Sequence, residues 1–326
     1  MGRGGWYGAV ARPAFFALPP EASHRVATAI LGLPLPWERI GGAVSERSLE
    51  RDLCGVRIPN PIGLAAGFDK TCRHLDALGR VGFGFVVGGT ITRHQRDGNP
   101  KPRIVRSPRR RAIVNAMGLP NPGAEAVAAT LGSVPRTAPR FASVADEGLT
   151  AALETVDLLG PHVEGFELNA SSPNAPWRHD PEHMATLLAS TRERTDRPVL
   201  LKLPPYVDDE GRAAVLALAR TAAGAGAHGL VCSNTVPVRD DRLASGRGGV
   251  SGGPLTALTP GIVSEVAAAT GHRLPIVACG GIFTADDVRA CLEAGAVAVQ
   301  LYTALIYRGP GIVADLTRGL ASSRSA

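Results

Sequence analysis

The sequence predicts an α/β protein, a (β/α)8 barrel preceded by a short helical arm. Three observations support this. Short β-rich apolar runs recur eight times after residue 60, a longer amphipathic segment follows each, and polar side chains gather at the carboxyl ends of the runs.

The predicted strands are 61–67, 84–91, 141–146, 165–171, 199–204, 229–235, 275–281 and 296–304. Helical patterns fall at 71–80, 121–131, 147–160, 181–195, 208–224, 258–270, 284–294 and 309–320. Asn121-Pro122, Asp180-Pro181, and Thr284 followed by Asp286 and Asp287 are start signals for three of these helices. Regular alternation of this kind implies a parallel sheet, and eight units close most naturally into a barrel. An open doubly wound sheet is the alternative, but no G-x-G-x-x-G turn follows the first strand. Residues 1–45 then form the arm and 46–326 the barrel.

The 326 residues are 44% hydrophobic and 20% charged, the balance of a water-soluble globular enzyme. The net charge of +6 is spread along the chain, with one dense run at Arg103, Arg106, Arg109, Arg110 and Arg111. No aromatics interleave that run, so nucleic acid is not expected as a partner. Five cysteines without a C-x-x-C pair indicate neither a disulfide framework nor a zinc site, so no metal and a reducing compartment are expected. No apolar run is long enough to span a bilayer. Trp6, Tyr7, Val10, Phe15, Phe16 and Leu18, broken by Arg12-Pro13, suit a helix lying in a membrane interface better than a secretory signal.

Asp69, Lys70, Thr90, Asn169, Ser171, Ser172, Lys202, Asn234 and Thr235 fall in or after predicted strands, where barrels build their sites. Gly280-Gly281 and Tyr302-Thr303 occupy the positions where barrels often bind phosphate, and Gly252-Gly253 could assist. Tight turns alone would also explain these glycines. Only three of the 35 basic residues are lysines, so Lys70 and Lys202 are candidates for places that need a compact ammonium. The segment Asn169-Ala170-Ser171-Ser172-Pro173-Asn174 offers amides that can read a planar cyclic amide, and a serine able to take a proton from carbon beside a hydride acceptor. A turn capped by Asn and Ser is the alternative.

These residues stand in blocks that resemble the dihydroorotate dehydrogenases: GLAAGFDK (63–70), GNPKPR (98–103), NAMGLPNPG (115–123), NASSPN (169–174), SNT (233–235), GGVSGGPL (248–255), ACGGI (278–282) and VQLYTALIYRGP (299–310). The segment LPPEASHRVA (18–27) is similar to the arm of the quinone-dependent class, and Ser172 replaces the cysteine of the soluble classes. The resemblance implies oxidation of dihydroorotate to orotate in pyrimidine synthesis. Ser172 would take the C5 proton while hydride passes from C6 to FMN, and a membrane quinone would reoxidise the flavin. Lys70, Asn115, Asn169, Asn174, Asn234 and Thr235 would hold the substrate, with Ala116, Met117, Gly118 and Leu119 beside it. Ala66, Gly67, Thr90, Ser143, Asn169, Lys202, Ser233, Gly252, Gly281, Tyr302 and Thr303 would surround FMN. His24, Arg106 and Tyr302 would meet the quinone, and the enzyme would lie peripherally on the cytoplasmic face of the cell membrane.

Several positions depart from the quinone class. Leu119 stands for phenylalanine, Ala175 for threonine, Ser143 for asparagine, and WRHDPEHM lacks a GLR element. NAMGLPNPG resembles the soluble classes more closely. The alternatives are a soluble-class enzyme, an FMN barrel acting on another cyclic amide or dihydropyrimidine, and a non-enzymatic flavin-binding or membrane-surface scaffold.

Overall fold

Strands of a parallel sheet are covered on both faces, so their sequences read as continuous apolar runs. The computed structural model, which describes residues 6–145, 148–170 and 180–322, closes eight such runs into a barrel.

A π-helical turn at Tyr7–Ala11 leads into α1 (Arg12–Ala17), α2 (Pro20–Leu31) and α3 (Trp37–Gly41). Pro20 opens α2 where a backbone N–H would have no helical partner. The antiparallel hairpin of β1 (Arg51–Leu53) and β2 (Val56–Ile58) follows. Its two-residue turn has both φ angles positive, Cys54 at 55° and Gly55 at 86°, which matches the twist of the paired strands. Leu53 and Ile58 plug the amino-terminal end of the barrel against Phe85, Phe141, Val231 and Val277.

The barrel begins with β3 (Ile62–Leu64), α4 (Leu75–Val81) and β4 (Phe85–Ile91). An excursion supplies β5 (Ile104–Ser107) and β6 (Ala112–Asn115) before α5 (Ala124–Ser133). The succession continues through β7 (Arg140–Val144), α6 (Leu149–Leu159), β8 (Gly165–Asn169), α7 (Pro181–Arg194), β9 (Val199–Leu203), α8 (Asp209–Gly224) and β10 (Gly229–Cys232). A second excursion, β11 (Val236–Arg239) and β12 (Arg247–Gly252), precedes α9 (Thr259–Ala269), β13 (Ile276–Cys279), α10 (Ala285–Glu293), β14 (Ala296–Leu301), α11 (Thr303–Arg308) and α12 (Ile312–Ser322). All barrel pairings are parallel, in the closed order β10-β13-β14-β3-β4-β7-β8-β9.

Every predicted strand and helix therefore has its counterpart, with differences at the ends. The last strand stops at Leu301, because Thr303 already begins α11. Asp146, Glu147 and Ser171, placed by the sequence reading at element ends, lie outside the described residues. The four-stranded antiparallel sheet β11-β12-β6-β5, built from the two excursions, was not expected.

The arm is fixed to the barrel by specific polar contacts. Tyr7 Oη donates to the Ile306 carbonyl at 2.7 Å, and a Cβ at Gly309 (φ +77°) would lie 2.3 Å from the Tyr7 ring. Arg106 donates to the carbonyls of Phe15 (3.0 Å) and Leu18 and stacks on the Phe16 ring at 4.6 Å. Arg103 pairs with Glu21 at 2.9 Å, while Arg111 lies over the Phe283 ring at 4.8 Å. Three members of the dense arginine run are thus engaged inside the molecule. The outer face of the arm differs sharply. Among the described residues, Trp6, Val10, Leu18, Val26, Ile30, Leu33 and Leu35 are exposed, and only Val207 and Leu258 join them from the rest of the chain as large exposed apolar side chains. Among the same residues, no helix is long and apolar enough to cross a membrane, and no cluster of His, Cys, Asp and Glu could hold a metal ion.

The plug tolerates no added volume at Gly63, where a Cβ would come 2.2 Å from the buried Phe85 ring. Gly63→Ala should therefore cost about 1–3 kcal/mol of stability through overpacking, read by urea unfolding. Unchanged stability would contradict the described packing.

Candidate active site

The carboxyl ends of the strands surround a cavity of about 990 Å³. Its size is that of a pocket for a large organic ligand. Several barrel strands deliver a polar group there because the side chain at the strand's carboxyl end points past the apolar layers. β4 supplies Thr90, β8 Asn169 and β9 Lys202, and the turn after β10 supplies Ser233, Asn234 and Thr235. Ala66, Gly67 and Lys70 follow β3, while Asn115 ends β6 and leads into Ala116, Met117, Gly118 and Leu119. Gly252, Gly281, Tyr302 and Thr303 complete the wall. Ser172 and Asn174 lie outside the described residues.

One expected contact is different. Ser143 is fully buried behind the chamber, with its Oγ 2.9 Å from Thr90 Oγ1, rather than among the lining residues. Thr90 Oγ1 also accepts from Asn169 Nδ2 at 3.1 Å, so the smaller serine orients the threonine instead of reaching inward. Sequence reasoning missed Ser251, whose Oγ accepts from Thr303 Oγ1 at 2.8 Å, and the buried group beneath Lys202. There Lys202 Nζ donates to Glu167 Oε1 at 3.1 Å and to Gln300 Oε1 at 3.4 Å, and Gln300 Nε2 donates to Glu167 Oε2 at 2.8 Å. Charged and amide residues inside strands as apolar as GFELN and AVAVQL were the signal that could have revealed it.

The donor set fits a flavin nucleotide. Gly281 (φ +72°) and Gly252 (φ +87°) leave an edge where a Cβ would lie 2.3 Å from Thr256 N and 2.2 Å from Arg111 O, respectively, so only bare backbone can border an anion there. Lys202 adds an ammonium at the floor, and Thr90 and Thr303 add hydroxyls.

A second cavity, of about 650 Å³, lies between arm and barrel. His24, Arg106 and Tyr302 all line it, in an otherwise largely apolar wall that includes Phe15, Phe16, Phe68 and Leu305. The two cavities share Lys70, Asn115, Met117 and Tyr302. His24 meets Phe68 edge-on at 5.6 Å between ring centroids, and Phe68 meets Tyr302 at 5.9 Å, so aromatic rings run from the arm to the chamber. Burial, with Arg103 nearby, pushes the Lys70 pKa down to about 8. Burial also lowers His24, to about 4, with the Lys70 ammonium adding to the effect. Tyr302 is pushed up to about 12 by burial and stays a neutral phenol.

Comparison with known proteins identifies relatives of the whole chain. The family model described as dihydroorotate dehydrogenase matches residues 48–323. The quinone-type dihydroorotate dehydrogenase of Chloroflexus aurantiacus is 36% identical, covering 95% of this chain and 94% of that protein. Its counterpart in Erythrobacter litoralis is 38% identical, covering 95% and 93%. The crystal structure of DHODH from Eimeria tenella in complex with ferulenol superposes with a TM-score of 0.82 at 27% identity, covering 94% of this chain and 92% of that one.

Because His24 is held neutral, the unfolded chain binds the extra proton between about pH 4 and 6.5, and acid removes stability across that window. His24→Asn should flatten the pH dependence of urea unfolding there. Equal slopes for both proteins would contradict the buried, neutral imidazole.

Proposed function

Since this chain belongs to the dihydroorotate dehydrogenase family, we propose that it oxidises dihydroorotate to orotate in the barrel mouth, using FMN, and passes the electrons to a membrane quinone in the arm-covered cavity. The observation that supports this most directly is the wall of Lys70, Asn115, Met117 and Tyr302 common to both cavities. It brings a polar chamber and a largely apolar one within one side chain of each other.

FMN, when bound, supplies the two-electron acceptor. Ala66, Gly67, Thr90, Lys202, Ser233, Gly252, Gly281, Tyr302 and Thr303 are the residues that hold it, with Ser143 acting through Thr90. Lys70 neutralises the substrate carboxylate, and Asn115, Asn169, Asn174, Asn234 and Thr235 read the ring amides from both donor and acceptor sides. Ala116 to Leu119 close over the reactant. Ser172 accepts the C5 proton as the general base. Leu119 and Ala175 bring no hydroxyl to the path by which that proton leaves, so ordered water relays it.

His24, Arg106 and Tyr302 frame the quinone head. Residues 1–45 act as a membrane-associating arm and 46–326 as the catalytic barrel. The exposed apolar side chains concentrated on the arm support a peripheral position on a membrane surface, which we take to be the cytoplasmic face of the cell membrane. A largely apolar second cavity favours the quinone over a small dicarboxylate such as fumarate as oxidant.

The purified protein should be yellow, bleach on anaerobic addition of dihydroorotate, and regain colour with a quinone but not with fumarate. Ser172→Ala should slow the bleaching by about 10²–10⁴-fold, the usual contribution of a positioned base, while still binding orotate. Recovery with fumarate alone would move the enzyme to a soluble class.

A further inference from the structure

Glu167 is 1% exposed, in the middle of β8, and is not among the described residues that line the flavin chamber. The three groups packed around it, Lys202, Gln300 and Cys279, do form part of that wall or floor. Glu167 and Lys202 lie on neighbouring strands, and Cys279 and Gln300 are direct partners across β13 and β14. The contacts form a closed triangle. Each carboxylate oxygen of Glu167 accepts one bond, at 3.1 Å from Lys202 Nζ and 2.8 Å from Gln300 Nε2, while Gln300 Oε1 accepts from the same ammonium at 3.4 Å. The amide of Gln300 therefore has one permitted orientation, since its flipped form would aim an N–H at the ammonium.

Stability alone is a weak reason for such a pair. Desolvating two ions offsets most of their attraction, and well-packed apolar residues of similar volume are often equally stable. We propose that Glu167 is a positioning residue for the flavin reaction: it holds Lys202 as an aimed ammonium beneath the flavin and so keeps this lysine out of the proton balance of flavin reduction. The inference rests on the reading that the barrel mouth holds FMN.

The groups facing Lys202 are Glu167 from β8, Cys279 from β13 and the neutral Gln300 amide from β14. Burial lowers the lysine pKa, the Glu167 carboxylate and its hydrogen bond raise it, and Cys279 adds to the rise only once it ionises. Burial raises the Cys279 thiol, which is therefore uncharged at neutral pH. Among the described residues, Glu167 is the counter-charge that remains beside Lys202 at neutral pH. Without it, a buried lysine titrates in the working range, and its proton becomes linked to the charge on the flavin.

The test is the two-electron midpoint potential of the bound flavin against pH in the wild type, Glu167→Gln, and Glu167→Gln combined with Lys202→Met. One further proton per two electrons is a tenfold change per pH unit, which is about 30 mV. Glu167→Gln should steepen the slope by up to that amount over some interval of pH where the wild type does not, and the double variant should lose the extra slope. A Glu167→Gln slope equal to wild type, or extra slope persisting without Lys202, overturns the proposal.

A second measurement needs neither a folded variant nor flavin. With three lysines in the chain, selective lysine labelling gives an NMR spectrum simple enough to follow Lys202 by pH titration. Its signal should stay that of an ammonium through the neutral and mildly alkaline range, and titration within that range overturns the proposal. A colourless protein would contradict the functional reading on which this inference rests, whereas a yellow protein that fails either test would overturn this inference alone.

Discussion

The wall of Lys70, Asn115, Met117 and Tyr302 is the constraint on which the rest of the molecule depends. A charged dicarbonyl ring and a lipid-soluble oxidant need opposite surroundings, and one pocket cannot offer both. Under the proposed function, each has its own cavity, and the two cavities share these four side chains as their common wall. The partition is held from both sides. Asn115 ends β6 inside the four-stranded sheet, and Arg103, which pairs with Glu21 of the arm, also donates to the carbonyls of Asp97 and Asn99 beside the chamber. Arg103 is therefore a fixing point common to the arm and to the segment beside the chamber.

Rigidity beneath the chamber has a different origin. The barrel interior is apolar at its plugged end, where Leu53 and Ile58 meet Phe85 and Phe141, and turns polar at Glu167, Lys202 and Gln300. Low local polarity strengthens bonds that are made and penalises any left unmade. A fully satisfied triangle at that level resists rotation of any one side chain, which keeps the ammonium of Lys202 aimed at the chamber floor.

The barrel was legible in the sequence because parallel strands buried on both faces leave long apolar runs, and amphipathic helices between them leave a different period. The four-stranded sheet was not. IVRS, VPVR and RGGVSG are short, charged or glycine-rich, and β12 finds its partner β6 more than a hundred residues away. Strand ends announced most of the lining residues, since lysine and asparagine have little other reason to end an apolar run. The place of Ser143 behind Thr90 was not legible, because sequence position gives the strand and level of a side chain but not whether a neighbour stands in front of it. Glu167 and Gln300 were passed over because each is a single polar letter within an apolar strand, and only the closed barrel brings them together.

Two cavities with one partition imply that the reactants at the two ends never compete for space. The most direct measurement is the affinity of the oxidised enzyme for orotate, titrated with and without a saturating short-chain benzoquinone, a mixture in which no net reaction can run. The account predicts that both ligands bind at once and that orotate binds nearly as tightly in either case. Mutual exclusion, with orotate displaced in proportion to the quinone added, would contradict it.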